Sequence, residues 1–157
     1  PIGQNLQGIA KVLLAEVGTK IFYTQHGGYD THANEGPAHP KLWSELSRSI
    51  SDFYADLKEH NVSENVLMFV FSEFGRRVRD NGSGTDHGSG GLALAIGDSV
   101  RGGMYGEYPS LKEGDLLEGD LNFGVDFRGV YGSIVEKWLG LDAKPVVGGV
   151  FEQPDFV

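Results

Sequence analysis

The sequence contains no cysteine among its 157 residues, which excludes a disulfide scaffold, a cysteine-ligated zinc site and thiol catalysis. It has no apolar run of the roughly 18 residues that a membrane-spanning helix needs, so we expect no transmembrane segment. Basic residues are few, with 13 Lys and Arg against 22 Asp and Glu and a formal net charge of −9. An acidic chain without a basic cluster is a poor candidate for nucleic-acid binding, so we expect a cation or a small ligand as partner.

Glycine, in contrast, is abundant. The chain has 24 glycines, about twice the background share of ~7%. Its length matches one domain, and it shows no linker or internal repeat, so residues 1–157 are expected to form a single domain. Phosphate-loop, nucleophile-elbow and dinucleotide-binding motifs are absent. The composition indicates a soluble, glycine-rich domain whose chemistry must lie elsewhere than in these motifs.

The spacing of apolar residues predicts three helices. Two cover Leu6–Glu16 and Lys41–His60, where apolar residues recur on one face and polar residues occupy the other. A third begins after Asp126, which suits an N-cap, and runs through Leu139. The apolar stripe of the second helix is typical of a core face rather than of a cofactor site.

Short apolar or β-branched runs predict strands at Thr19–Thr24, Asn65–Phe71 and Leu92–Ile96. The second run is continuously apolar, which is typical of a strand buried on both faces of a parallel sheet. Long polar loops follow the first two strands, over Gln25–Pro40 and Ser72–Gly91. The alternation of strands and helices predicts an α/β fold with a mostly parallel sheet flanked by helices, whose ligands bind at the carboxyl ends of the strands.

The first candidate site lies in the segment GGYDTHAN, residues 27–34. Asp30 and His32 are two residues apart, so in an extended backbone their side chains point to the same side and could bind one divalent metal. His26 and His39 flank them, which concentrates histidine in this loop. The alternative is an ordinary turn in which Asp30 caps a backbone N–H and His32 is solvated.

Two further segments carry candidate residues: SEFGRR, residues 72–77, and GTDHGSGG, residues 84–91. Glu73 follows a predicted strand, where catalytic residues of α/β proteins lie, and Arg76 could bind an anionic group through its guanidinium. Asp86 and His87 lie among glycines, a composition that favours close approach to a ligand. The alternatives are a Glu73–Arg76 ion pair and a flexible hairpin whose polar residues face water.

These three segments, with GGMYGEYPSL and DFRGVYGSIVEKWLG further on, resemble the C-terminal part of the domain-of-unknown-function family 1501. The resemblance runs from about Ile9 to about Leu141. That family is grouped with the alkaline phosphatases and sulfatases, so the resemblance implies part of a longer alkaline phosphatase-like domain. Family members resemble exported bacterial proteins, which implies a periplasmic or secreted parent.

Enzymes of that superfamily hold two divalent metals, often zinc, and hydrolyse phosphate or sulfate esters. By position, Asp30 and His32 are similar to one group of metal ligands, Glu73 stands where an Asp-His pair would stand, and His87 looks like a later histidine ligand. The spacing Asp-x-His departs from the superfamily's Asp-x-x-x-His, and the segment bearing the nucleophile is missing. Ser72-Glu73 in place of the Asp-His pair also loses one imidazole ligand, so the resemblance implies one metal rather than two. Without the nucleophile-bearing segment, the active site of this chain is expected to be incomplete.

The sequence therefore predicts a metal-dependent hydrolase domain for a small anionic ester. Its metal ligands would be Asp30, His32, Glu73, Asp86 and His87, with Glu73 and Arg76 in catalytic roles. Zinc, manganese or iron suits imidazole and carboxylate ligands. The first alternative is a non-catalytic binding module that keeps the fold with a degenerate metal site, and the second is a purely structural domain. Substrate and oligomeric state are not readable from the sequence.

Overall fold

The computed structural model describes the whole chain, residues 1–157. Its helices are α1 (Ile2–Leu14), α2 (Glu35–Glu59), α3 (Phe127–Ser133) and α4 (Lys144–Val147). Its strands are β1 (Met68–Val70), β2 (Gly75–Asp80), β3 (Thr85–Gly88) and β4 (Leu94–Ile96). Contacts divide the chain into a first unit, Pro1–Val66 with Asp80–Asp86, and a second unit, Leu67–Arg79 with His87–Val157. None of the helices is both long and apolar enough to cross a membrane.

The first unit is built on α1 and α2, which pack against each other. Its buried apolar residues are Ile2, Leu6, Ala10, Leu46, Phe53, Tyr54 and Leu57. In α1 the buried residues are four apart, and in α2 Leu46, Phe53 and Leu57 are seven and four apart with Tyr54 beside Phe53, so one face of each helix is inside and the other is exposed. The helices predicted over Leu6–Glu16 and Lys41–His60 are therefore confirmed, although both begin earlier than predicted.

The start of α2 is set by a contact from a distant segment. The backbone N–H of Asn34 donates to Ser83 Oγ at 3.0 Å, and that of Glu35 donates to the Ser83 carbonyl at 3.2 Å. Pro37 lies in the first turn, where helix N–H groups have no partner within the helix, so a proline there costs no hydrogen bond. The predicted loop is thus wrong over its last residues, 35–40, because a contact with Ser83 supplies the cap that the local sequence lacks.

The prediction of a mostly parallel, alkaline phosphatase-like sheet is wrong. The structure has two separate two-stranded sheets, β1 with β4 and β2 with β3. β1 pairs antiparallel with β4, so that Met68 faces Ile96 and Val70 faces Leu94. β2 and β3 form a hairpin inside the segment predicted to be a loop. A continuously apolar run indicates burial, but it does not specify the direction of its neighbour, and here the one neighbour of β1 is antiparallel.

The segment Thr19–Thr24 forms no strand, although its residues favour one. The side chains of Ile21 and Tyr23 are 72% and 70% exposed, whereas Phe22 between them is half-buried. Exposure alternates along this segment, as it does in an extended chain. Propensity alone does not make a strand, because a strand also needs a hydrogen-bonded neighbour.

The second unit is centred on α3 and the C-terminal tail. The Asp126 carboxylate accepts a hydrogen bond from the Arg128 backbone N–H at 2.9 Å, which confirms the predicted N-cap. The helix continues as a short π-helix over Ile134–Trp138. Ser133 is fully buried, and its hydroxyl donates to the Pro154 carbonyl at 2.6 Å, so the tail is held against the helix.

The N-cap of α3 predicts a pH dependence of stability. Hydrogen bonds from the Arg128 side chain, and then from its backbone, lower the pKa of Asp126. A lowered pKa stabilises the folded protein above the ordinary Asp pKa of about 3.9, and this stabilisation is lost as the pH falls through the lowered value. We expect wild type to be more stable than Asp126→Asn at neutral pH, because asparagine keeps the cap but lacks the charge.

Urea unfolding of both proteins from pH 7 down to pH 2 measures this difference. The gap should close as the pH falls below the ordinary Asp pKa. Asp52→Asn, at an exposed position of α2, is the control and should show no comparable gap. A gap for Asp126→Asn that is constant across this range would contradict the prediction.

Candidate functional site

The loop before α2 brings Asp30 and His32 into direct contact. His32 Nε2 lies 2.9 Å from Asp30 Oδ1. Thr31, between them, is buried with 8% of its surface exposed. The loop therefore has the alternation predicted for Asp-x-His, with one side chain inside and its two neighbours outside together.

Asp86 approaches His32 from the hairpin formed by β2 and β3. Its Oδ1 lies 3.1 Å from His32 Nδ1, so both ring nitrogens of His32 contact carboxylate oxygens. The three side chains are half or more exposed, His32 at 50% and each aspartate at 58%. We call these three residues, Asp30, His32 and Asp86, the His32 cluster. All three belong to the first unit.

The donor chemistry of the His32 cluster favours a cation. A neutral imidazole has one N–H donor and one acceptor, and an ionised carboxylate only accepts. Both contacts of His32 are satisfied when the ring carries two protons, or when a cation replaces one of them. His32 Nε2 and Asp30 Oδ1 lie side by side, and an imidazole with a carboxylate is a ligand pair that Zn²⁺ and related divalent metals take in proteins. Asp30 and His32 therefore fit a divalent metal, and their exposure leaves room for water or substrate. Asp86, on the other ring nitrogen, fits the carboxylate that orients a metal-ligating histidine.

The first turn of α2 holds the two segments that carry the cluster. Thr31 Oγ1 lies 2.8 Å from His39 Nε2. Thr85 Oγ1 donates to Glu35 Oε2 at 2.9 Å. Glu35 and His39 are themselves one helical turn apart, with 3.9 Å between their charged atoms. Each threonine precedes a cluster residue in the chain, so α2 fixes the backbone on both sides of the cluster.

Gly84 lets the hairpin tip touch the loop through backbone atoms. A Cβ at this position would lie 2.3 Å from the Thr31 carbonyl oxygen and 2.8 Å from the His32 carbonyl carbon. Any side chain there would push the two segments apart. The glycine serves a contact between two backbone segments here, and an approach to a ligand stays a prediction.

The other two histidines of the loop region have packing partners. His26 Nδ1 lies 3.0 Å from the Tyr29 hydroxyl, and the Tyr29 ring also meets Trp43 edge to face at 5.6 Å. Burial, with a smaller effect from Glu45, raises the pKa of Tyr29. His26 and His39 are thus part of the packing around α2, and the abundance of histidine here overstates the number of candidate ligands.

The remaining predicted site residues lie in the second unit. Glu73 is exposed in the segment between β1 and β2. It does not end a parallel strand, so the reasoning that placed it at a catalytic edge is wrong. His87 stacks face to face on Phe74, with ring centroids 4.2 Å apart, and the Arg76 guanidinium lies 5.2 Å from the same ring. The roles of Glu73, Arg76 and His87 in binding stay predictions.

Comparison with known proteins gives one match. The model of a family described as protein of unknown function (DUF1501) matches residues 4–150. None of the curated proteins and none of the solved structures matches the chain. The family match agrees with the resemblance of the motifs, whereas the grouping with alkaline phosphatases and sulfatases stays an expectation.

The contact at Gly84 predicts a large effect of a single methyl group. Gly84→Ala places a Cβ closer to the Thr31 carbonyl oxygen than van der Waals contact allows, and overpacking of this kind costs about 1–3 kcal/mol of unfolding free energy. Gly27→Ala is the matched control, because a Cβ at Gly27 meets nothing within 4 Å. We expect the control to change stability by less than about 0.5 kcal/mol. Urea unfolding measures both, and equal effects would contradict the prediction.

Proposed function

Given that the chain belongs to the DUF1501 family, which is described as of unknown function, we propose that it is a metal-dependent hydrolase domain acting on a phosphate or sulfate ester. The observation that carries the proposal is the pair of contacts made by His32, at 2.9 Å to Asp30 and 3.1 Å to Asp86. One ring nitrogen of His32 faces a possible carboxylate ligand, and the other faces a carboxylate that can orient the ring. A divalent metal is the ligand that suits this arrangement best.

Asp30 and His32 would hold the metal, and Asp86 would orient the His32 ring from its other nitrogen. A divalent metal bound there supplies a positive charge that polarises the ester and stabilises the departing anion. The chain's own residues bind the metal and orient its ligands. Asp30 and Asp86 contribute negative charge, and Thr31 and Thr85 fix the backbone beside them through their contacts with α2.

Arg76 would recognise the anionic group of the ester. It lies on β2, half-buried, with its guanidinium near the face of the Phe74 ring. A guanidinium donates up to two parallel hydrogen bonds to phosphate or sulfate oxygens, which fixes the orientation of the anion as well as its position. Stacking on an aromatic ring restricts the side chain.

Metal binding is the first prediction. We expect the purified protein to bind Zn²⁺ or Mn²⁺ at about one ion per chain, and Asp30→Ala, His32→Ala and Asp86→Ala each to lower the affinity by at least about tenfold, since even residues behind metal ligands contribute that much. Isothermal titration calorimetry on protein prepared without chelator or histidine tag measures the affinity. Elemental analysis of the same preparation measures the stoichiometry.

The pair Asp56 and His60 provides the matched control. It is also an exposed aspartate beside a histidine, with 3.4 Å between their charged atoms, but it lies on one helix and is an ordinary i,i+4 pair. Asp56→Ala should leave metal affinity unchanged. Glu73→Ala and His87→Ala test whether the two predicted ligands of the second unit take part. A wild-type protein that binds neither metal would refute the proposal and favour the non-catalytic binding module.

Anion recognition is the second prediction. We expect Arg76→Ala to weaken the binding of inorganic phosphate or sulfate by about tenfold or more, the loss expected for hydrogen bonds to a charged group worth about 1.5–3 kcal/mol. Arg79→Ala, at an exposed position of the same strand, is the control and should have little effect. Calorimetric titration of the variants measures this. Equal losses for both arginines would indicate a general charge effect and contradict a specific role for Arg76.

A further inference from the structure

Asn81, the first residue after β2, uses both ends of its side-chain amide. Its Nδ2 donates to the His32 carbonyl oxygen at 3.0 Å and to Asp86 Oδ1 at 3.2 Å. Its Oδ1 accepts from the backbone N–H groups of Ser83 at 3.2 Å and Gly84 at 2.9 Å. An amide has two donors and two acceptor lone pairs, so the whole capacity of this side chain is used.

The two ends of the amide have different tasks. The oxygen shapes the tip of the hairpin, as asparagine does in many turns. The nitrogen reaches out of the turn and connects it to the His32 loop, which is 49 residues away in the chain. It also bonds the same Asp86 oxygen that faces His32 Nδ1. A turn alone needs only the oxygen, so the two donor bonds require another explanation.

We propose that Asn81 is the positioning residue of the His32 cluster. Its amide nitrogen holds the Asp86 carboxylate in the orientation that faces His32 and ties that carboxylate to the His32 backbone. The inference rests on the proposed function in one respect, that metal binding is the purpose for which the cluster is held. Partners of this kind behind metal ligands fix the orientation of the ligands and contribute to metal affinity.

The same geometry disfavours another role that the sequence allows. Asn81, Gly82 and Ser83 match the pattern of an N-glycosylation acceptor. Glycosylation would replace one hydrogen of Nδ2 with a sugar and remove one of the two donor bonds. The side chain is therefore committed to the His32 cluster rather than free for modification.

The experiment uses the ring ¹⁵N signals of His32 in histidine-labelled, metal-free protein, together with Zn²⁺ affinity. We expect Asn81→Ala to shift the His32 ring signals and to weaken Zn²⁺ binding by about 10- to 100-fold. In a background carrying Asp86→Ala the further effect of Asn81→Ala on the affinity should be much smaller, because the two residues act through one contact. Ser83→Ala removes the hydroxyl bonded by the Asn34 N–H, another tie between hairpin and loop, and should leave the affinity within twofold.

The outcomes separate this inference from the proposed function. If wild type binds no metal but Asn81→Ala shifts the His32 ring signals, the metal site is refuted and the positioning role is supported. Metal binding by wild type with unchanged ring signals and affinity in Asn81→Ala would leave the metal site standing and overturn the positioning role. If Asn81→Ala fails to fold, Asn81→Asp keeps an oxygen for the hairpin tip but loses both donors. Wild-type ring signals in that variant would overturn the inference.

Discussion

The geometry of the His32 cluster depends on the first turn of α2. Glu35 and His39 lie one helical turn apart and form hydrogen bonds with the hydroxyl groups of Thr85 and Thr31, respectively. Each threonine directly precedes a cluster residue, so a single helical turn fixes two backbones that are more than 50 residues apart in the chain. The helix itself is anchored further along, where Leu46, Phe53, Tyr54 and Leu57 are buried.

The helices were accessible from the sequence because their information is local. The apolar stripes of α1 and α2 and the N-cap at Asp126 depend on residues that lie within one or two helical turns of each other. The start of α2 was not accessible, because Ser83 supplies the contacts there. Strand direction was not accessible either. Apolar residues in β1 indicate that something covers them, but only the neighbouring strand determines whether the pairing is parallel or antiparallel.

The residues of the candidate site likewise divide into those that a local pattern predicts and those that it does not. Asp30 and His32 could be paired from their spacing, and Asp86 from its glycine-rich surroundings, because both patterns are local. A rule about parallel sheets predicts a catalytic position for Glu73. That prediction has no basis here, because β1 pairs antiparallel with β4. Asn81 looks like an ordinary turn residue in the sequence. Its amide nitrogen bonds the His32 carbonyl oxygen, and a hydrogen bond between residues 49 positions apart cannot be predicted from a local pattern.

The missing side chain at Gly84 has a consequence for how the site tolerates change. Where two segments meet through side chains, their separation varies with each substitution, since a longer or shorter residue alters it directly. Here the spacing between the two segments is set by peptide atoms in contact, whose radii are the same in every protein. The distance is therefore encoded at one position, by the absence of a Cβ. The size of the neighbouring side chains does not set this contact, whereas any side chain at Gly84 would change it.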